Sequence, residues 1–198
     1  MRNRRAKLVA KREDLLQTCL ALLRGINLGA KNRLPMKDLS EMFARAGCRD
    51  VETYIQSGNV IFRATPNVSA RLSQVIRTQI QERFGHQVPV VLRTAEQLRN
   101  VVRNNPFLIE GAAEDTLHVM FLADWPDPDR VNALDPVRSP PDAFMVRGQE
   151  VYLRLPNGVA RSKLTNSYFD SKLGTISTAR NWRTVTRLLQ LTEEQDSC

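Results

Sequence analysis

Three cysteines and two histidines are all that this 198-residue chain offers toward thiol, metal or imidazole chemistry. Cys19, Cys48 and Cys198 are odd in number and show no paired metal spacing, so neither a disulfide framework nor a zinc site is expected. A Ser/His/Asp triad would have to use His86 or His118, and no GxSxG, HExxH, CxxC, Walker loop or GxGxxG fingerprint occurs. Asp127 and Asp129 lie among prolines and read as a helix start rather than an acid–base pair. No catalytic signature is recognisable, and neither cofactor nor metal is expected.

Long apolar runs are also absent. The longest, such as Cys19 to Leu23, fall far short of a membrane span, and Glu13, Asp14 and Gln17 interrupt what would have to be a signal peptide's apolar stretch. Ten prolines and nine glycines are too few for a low-complexity chain, while 42% hydrophobic and 25% charged residues are ordinary globular composition. A cytoplasmic protein with free thiols and no membrane association is the expectation. The net charge of +8 points to nucleic acid until its placement is considered. Residues 1–14 hold six basic and two acidic side chains, so half of that charge sits in a segment expected to be a disordered tail.

The apolar run Gln17 to Arg24 reads as a buried strand, followed by a loop from Gly25 to Arg33. Pro35 suits a first helical turn, Leu39, Met42 and Phe43 fall at helical spacing, and Gly47 can end that helix. Val51, Thr53 and Ile55 alternate, and Ser57-Gly58-Asn59 turns the chain into Val60 to Arg63. A helix from about Asn67 to Phe84 stops at Gly85, and a strand follows at Val88 to Arg93. This order, β-α-β-β-α-β, predicts a ferredoxin-like unit. Thr94-Ala95-Glu96-Gln97 opens a connector helix that cannot pass Pro106.

The pattern then restarts, with a strand at Thr116 to Leu122, a short helix at Asp127 to Leu134 and a hairpin of Ala143 to Arg147 with Glu150 to Leu155. A helix at Ser162 to Leu173 stops at Gly174, and a short segment leads to a last helix bearing Trp182, Val185 and Leu188. The fold class is therefore α+β, with two ferredoxin-like repeats, the second degenerate. The expected divisions are 1–14, 15–104 and 105–198. The first and fifth strands are apolar on both faces, which predicts a core shared by the repeats or a homodimer. His118 falls in this apolar setting and reads as a hydrogen-bonded core histidine.

In such a topology the loop after the first strand and the turn after the second lie at one end of the sheet. That would gather Arg24, Asn27, Lys31, Asn32 and Arg33 with Ser57 and Asn59 beside a helix N-terminus, whose free N–H groups and dipole favour an anion. An equally good account is that the glycines make the turn and the asparagines satisfy loop backbone. A second polar cluster, Arg161 and Lys163 with Arg180 and Asn181, could bind an anion too. Helix capping by Ser162 and Thr178, with Trp182 in the core, is the favoured reading there.

Leu22-Leu23-Arg24-Gly25-Ile26-Asn27, Thr53-Tyr54-Ile55-Gln56-Ser57-Gly58-Asn59-Val60, Asn105-Pro106-Phe107 and Arg180-Asn181-Trp182-Arg183-Thr184-Val185 resemble segments of the domain of unknown function 1697 family. The resemblance runs from about Leu16 to Leu191 and includes Leu155-Pro156-Asn157-Gly158 and Arg161-Ser162-Lys163-Leu164-Thr165-Asn166. It implies a fold of two ferredoxin-like repeats and no established activity. This chain departs from the family pattern at Ala30 and at Ser177-Thr178-Ala179. Three functional readings stand. The first is an anionic or phosphorylated small ligand held by Arg24, Asn27, Lys31, Asn32, Ser57 and Asn59. The second is RNA or single-stranded nucleic acid on a sheet face that includes Tyr54. The third is a non-catalytic scaffold or interaction module.

Overall fold

The computed structural model describes residues 16–27 and 32–197. The basic segment 1–14, Lys31 and Cys198 lie outside the described residues. The chain forms two compact units, one of the described residues up to Ala95 together with those from Leu191 onward, the other of Glu96–Gln190.

In the first unit the order is β1 (Gln17–Leu23), α1 (Met36–Arg45), β2 (Arg49–Tyr54), β3 (Asn59–Ala64), α2 (Pro66–Phe84) and β4 (Val90–Thr94). The sheet runs β2-β3-β1-β4 with every neighbour antiparallel. The apolar run of β1 shows no alternation because both of its faces are buried. Cys19, Ala21 and Leu23 pack with Leu39, Met42 and Phe43 of α1 and with Leu72, Ile76 and Ile80 of α2. Leu20 and Leu22, on the opposite face, are fully buried. Each such leucine contributes about 1.5–3 kcal/mol relative to exposure, so β1 anchors the unit. Phe43 and Phe62 meet at 5.2 Å between ring centroids and tie α1 to β3.

β2 ends one residue earlier than its alternation suggests. Ile55 takes a left-handed conformation (φ 48°) in the turn and is exposed, because Tyr54 is the residue that pairs with Asn59. The end of α7 (Trp182–Asp196) belongs to this unit, where the Gln195 amide donates to the Asp50 carbonyl.

The second unit holds most of α3 (Ala95–Arg103), then α4 (Pro106–Ile109), β5 (Leu117–Leu122), α5 (Pro128–Asn132), β6 (Ala143–Arg147), β7 (Glu150–Arg154), α6 (Asn166–Leu173) and β8 (Ser177–Asn181). Its sheet runs β6-β7-β5-β8, again antiparallel throughout, and so repeats the strand order of the first. Asn105 caps α4 by accepting from the Phe107 and Leu108 amides, and Asp127 caps α5 by accepting from the Asp129 amide. Phe144 stacks edge-on against Phe169 at 5.3 Å over the helix-covered face. Leu117, Val119 and Phe121 are buried on the other face.

Three expectations are corrected here. Ser177–Asn181 is a strand, so the second unit has all four strands and is not a truncated one; Thr178 is a buried strand residue and caps no helix. α6 begins at Asn166 rather than Ser162, because Thr165 accepts from the Tyr168 amide and so sets the helix start. His118 is less buried than the core residue expected. It is half-buried, and its Nδ1 makes no well-formed hydrogen bond among the described residues. Burial lowers its pKa, and the Thr116 backbone opposes that shift only in part.

Candidate functional site

β1 and β2 both run antiparallel to β3, so they point the same way and deliver the loop after β1 and the β2–β3 turn to one end of the sheet. Two backbone bonds fix the junction: the Leu23 amide donates to the Gly58 carbonyl at 2.8 Å and the Arg24 amide to the Pro89 carbonyl at 3.1 Å. Gly58 has to be glycine. Its φ is +78°, and a Cβ there would lie 2.7 Å from the Leu23 Cβ and 3.0 Å from the Ile26 side chain. Ile26, only 2% exposed, therefore closes down over the turn.

The asparagines of this cluster spend their side chains on the backbone. Asn27 Nδ2 donates to the Leu34 carbonyl at 2.9 Å and to the Gln56 carbonyl at 3.0 Å, while Oδ1 accepts from the Leu34 amide at 2.8 Å. These three hydrogen bonds, from two side-chain atoms, crossbrace two loop limbs and the turn. Asn32 donates to the Gly25 carbonyl at 2.8 Å, and the Asn27 amide donates to the Asn32 carbonyl at 3.0 Å. Both residues sit in the left-handed region, with φ 54° and 50°, which asparagine tolerates better than most side chains. Asn59 Nδ2 reaches the Tyr54 carbonyl and the Ser57 hydroxyl, so those two residues shape the turn.

Beside this frame lies an open groove of about 530 Å³ lined by Asn27, Arg33, Pro35, Lys37 and Gln56. The groove abuts the N-terminus of α1, where the N-cap position is Pro35 and no side chain caps the first-turn amides. Asp38, the acidic residue of that turn, is paired with Arg83. The result is a concavity with two cationic side chains beside an uncapped helix end, where the charges and the helix dipole have the same positive sign.

Of the residues expected at this site, Asn27 lines the groove, whereas Arg24, Asn32, Ser57 and Asn59 are not among its lining residues, and Lys31 lies outside the described residues. Lys37 was not anticipated. The signal for it was a cation two residues past Pro35, at the start of the helix. In the second cluster, Asn181 Oδ1 accepts from the Thr184 amide and so caps α7. Arg180 donates to the Thr178 hydroxyl at 2.9 Å and the Ala179 carbonyl at 2.8 Å, and desolvation lowers its pKa to about 10. Arg161 and Lys163 are exposed on the loop before α6, and the Lys163 amide donates to the Ser139 hydroxyl. Among the described residues no three His, Cys, Asp or Glu side chains gather as metal ligands, and no helix is long and apolar enough to cross a membrane.

A family model described as "Protein of unknown function (DUF1697)" matches residues 16–152. The fold is similar to that of a solved structure, conserved bacterial protein SP0830 from Streptococcus pneumoniae. That match has a TM-score of 0.69 and 20% sequence identity, and covers 89% of this chain and 99% of that one. No curated protein matches the sequence. At this identity the structural likeness speaks for the fold alone.

Proposed function

We propose, from the premise that this chain belongs to the DUF1697 family of proteins of unknown function, that it binds a small anionic ligand, phosphorylated or carboxylate-bearing, at the loop after β1. The observation that carries this reading is the groove at the uncapped N-terminus of α1 with Arg33 and Lys37 on its walls. Arg24 and Lys31 add charge to the same loop. Asn27, Asn32, Ser57 and Asn59 serve as the frame that braces the described part of the loop beside Arg33, which lowers the ordering cost on binding. The frame itself is proposed to be the end of a ferredoxin-like repeat, and the recurrence of one strand order in both sheets supports that assignment.

Thermal-shift screening of inorganic phosphate, nucleotides and phosphosugars tests the reading. A ligand at one hundred times its Kd should stabilise the fold by about 2.7 kcal/mol, and the double variant Arg33→Ala/Lys37→Ala should abolish the shift. No shift with any of these compounds, or a shift untouched by the double variant, rules the site out. Nucleic acid laid on a sheet face has less support, since β1 and β5 are buried on both faces. Filter binding of mixed RNA at ~0.1 M salt, weakening steeply as salt rises, would favour it instead.

A further inference from the structure

A tryptophan exposed over three-quarters of its surface is an expensive residue to leave in water, and Trp125 is 75% exposed. It sits in the loop after β5 and leans on the β6–β7 turn, where a Cβ on Gly148 would lie 3.4 Å from its ring. The absence of a side chain at Gly148 leaves room for the indole beside the turn backbone.

The ring forms part of a concavity of about 340 Å³, within the size range of small-molecule sites. Gln97 and Asn100 of α3 line it together with Asn104 of the turn after that helix, whose side-chain amide donates back to the Asn100 carbonyl at 2.9 Å, and Arg147 and Glu150 line it from the β6–β7 hairpin. The wall is braced: Arg147 donates to the Asn104 carbonyl at 3.1 Å, and the Tyr152 hydroxyl donates to the Val101 carbonyl at 3.3 Å. One bond ties the hairpin to the turn after α3 and the other ties it to α3 itself, bracing the two sides of the concavity against each other.

We propose that this concavity is a nucleobase-binding site, with the base stacked on Trp125 and its edge read by the carboxamides of α3 together with Arg147 and Glu150. The lining supplies the side-chain types whose hydrogen-bond geometry matches base edges: Asn and Gln for an adenine edge, Arg for guanine, Glu for an exocyclic amine. Arg147 and Glu150 balance in charge, which suits a neutral planar group better than a phosphate. Sequence-tolerant stacking on an aromatic ring supplies the affinity. The site lies wholly in the second unit and stands independently of the anion groove, so either can fail without the other.

The base can come from a free nucleoside or from a single strand. The test titrates the full chain with adenosine, guanosine, cytidine and uridine, and separately with a mixed-sequence single-stranded RNA oligonucleotide, reading tryptophan fluorescence. The chain has two tryptophans, and Trp182 is only 1% exposed, so a stacking base quenches Trp125 selectively. Saturable quenching is expected, absent in Trp125→Ala although that variant keeps its melting temperature. Calorimetry on the same variant should show affinity falling by about 5- to 160-fold, the loss of one base–aromatic stack. Asn100→Ala, which keeps the fluorophore, should shift the quenching curve to higher ligand concentration. Quenching by nucleosides assigns the free form, and quenching by the oligonucleotide alone assigns the strand. No saturable quenching by either, or equal quenching by methyl glucoside, overturns the proposal.

Discussion

The two units end their first strands in the same way and then diverge. Leu23 donates to the Gly58 carbonyl at 2.8 Å as Leu122 does to Gln149 at 2.8 Å; Arg24 pairs with Pro89 as Ala123 does with Ile176. Two residues further on, Ile26 is 2% exposed and Trp125 is 75% exposed. One backbone frame thus carries a buried isoleucine in the first unit and an exposed indole in the second. The difference lies in the turn: Gly58 faces Leu23 and Ile26 with no room to spare, whereas a Cβ on Gly148 would lie 3.4 Å from the indole and 3.8 Å from the Glu150 carboxylate. Repetition of a fold fixes where the loops go, and the side chains alone decide whether the end is sealed or available.

The largest effect should come from Gly58→Ala, which forces a Cβ into the Leu23 contact at positive φ and should cost about 4 kcal/mol in denaturant unfolding. In the second unit's turn, Gly148→Ala, one residue before the position equivalent to Gly58, should cost about 1 kcal/mol. Equal costs would erase the distinction between the two turns. Truncation of the loop residues sharpens the comparison: Ile26→Ala should lose about 3 kcal/mol, and Trp125→Ala less than about 0.5 kcal/mol. Asn27→Ala follows, with about 2 kcal/mol expected from the Leu34 amide and the Leu34 and Gln56 carbonyls left without that partner. If unfolding experiments find Asn27→Ala neutral, the crossbrace is not what holds the loop.

The smallest effects are in pH, and they have opposite signs at matching positions. Cys19 in β1 and His118 in β5 occupy the same register, each four residues before the last residue paired to the fourth strand of its sheet at Leu23↔Val90 and Leu122↔Ser177. Burial raises the Cys19 thiol above its ordinary 9.0, with the Ser69 hydrogen bond opposing and Asp196 reinforcing the shift. Burial likewise pushes Cys48 up to about 12. The unfolded chain then holds fewer protons than the folded one above pH 9, so stability present below that pH is lost as pH rises, by about 1.4 kcal/mol per unit for Cys48. His118 is lowered from 6.5, so the unfolded chain takes up the proton first and stability is lost as pH falls below that value. Urea midpoints across the pH range should therefore decline at both ends, and His118→Gln should flatten only the acid side.

Much of the frame was legible in the residues because it rests on local rules. The apolar run of β1, the Leu39/Met42/Phe43 stripe of α1 and the glycine stops at Gly85 and Gly174 (φ 71° and 70°) are all short-range signals. β8 was not legible. Ser177 to Asn181 is polar and looks like a capping segment, and only the fold supplies its partners: Ser177 bonds to Asn166 and Asp170, and Thr178 is buried opposite Phe121. The asparagines of the β1 loop were legible as loop formers, but Asn27 reaches Gln56 across 29 positions, a contact that periodicity cannot reveal. Trp125 was hidden for the same reason, since its neighbours Gly148 and Asn104 are brought to it by the β6–β7 hairpin and α3.

The anion groove and its frame are tested most directly by a two-dimensional amide NMR titration of the full chain with inorganic phosphate. Saturable shifts concentrated on Arg33, Met36, Lys37, Asp38 and Gln56, with the Trp125 indole and Gly148 unmoved, are expected. Shifts scattered over exposed lysines and arginines with no saturation, or none at the start of α1, would contradict a built anion site in the first unit.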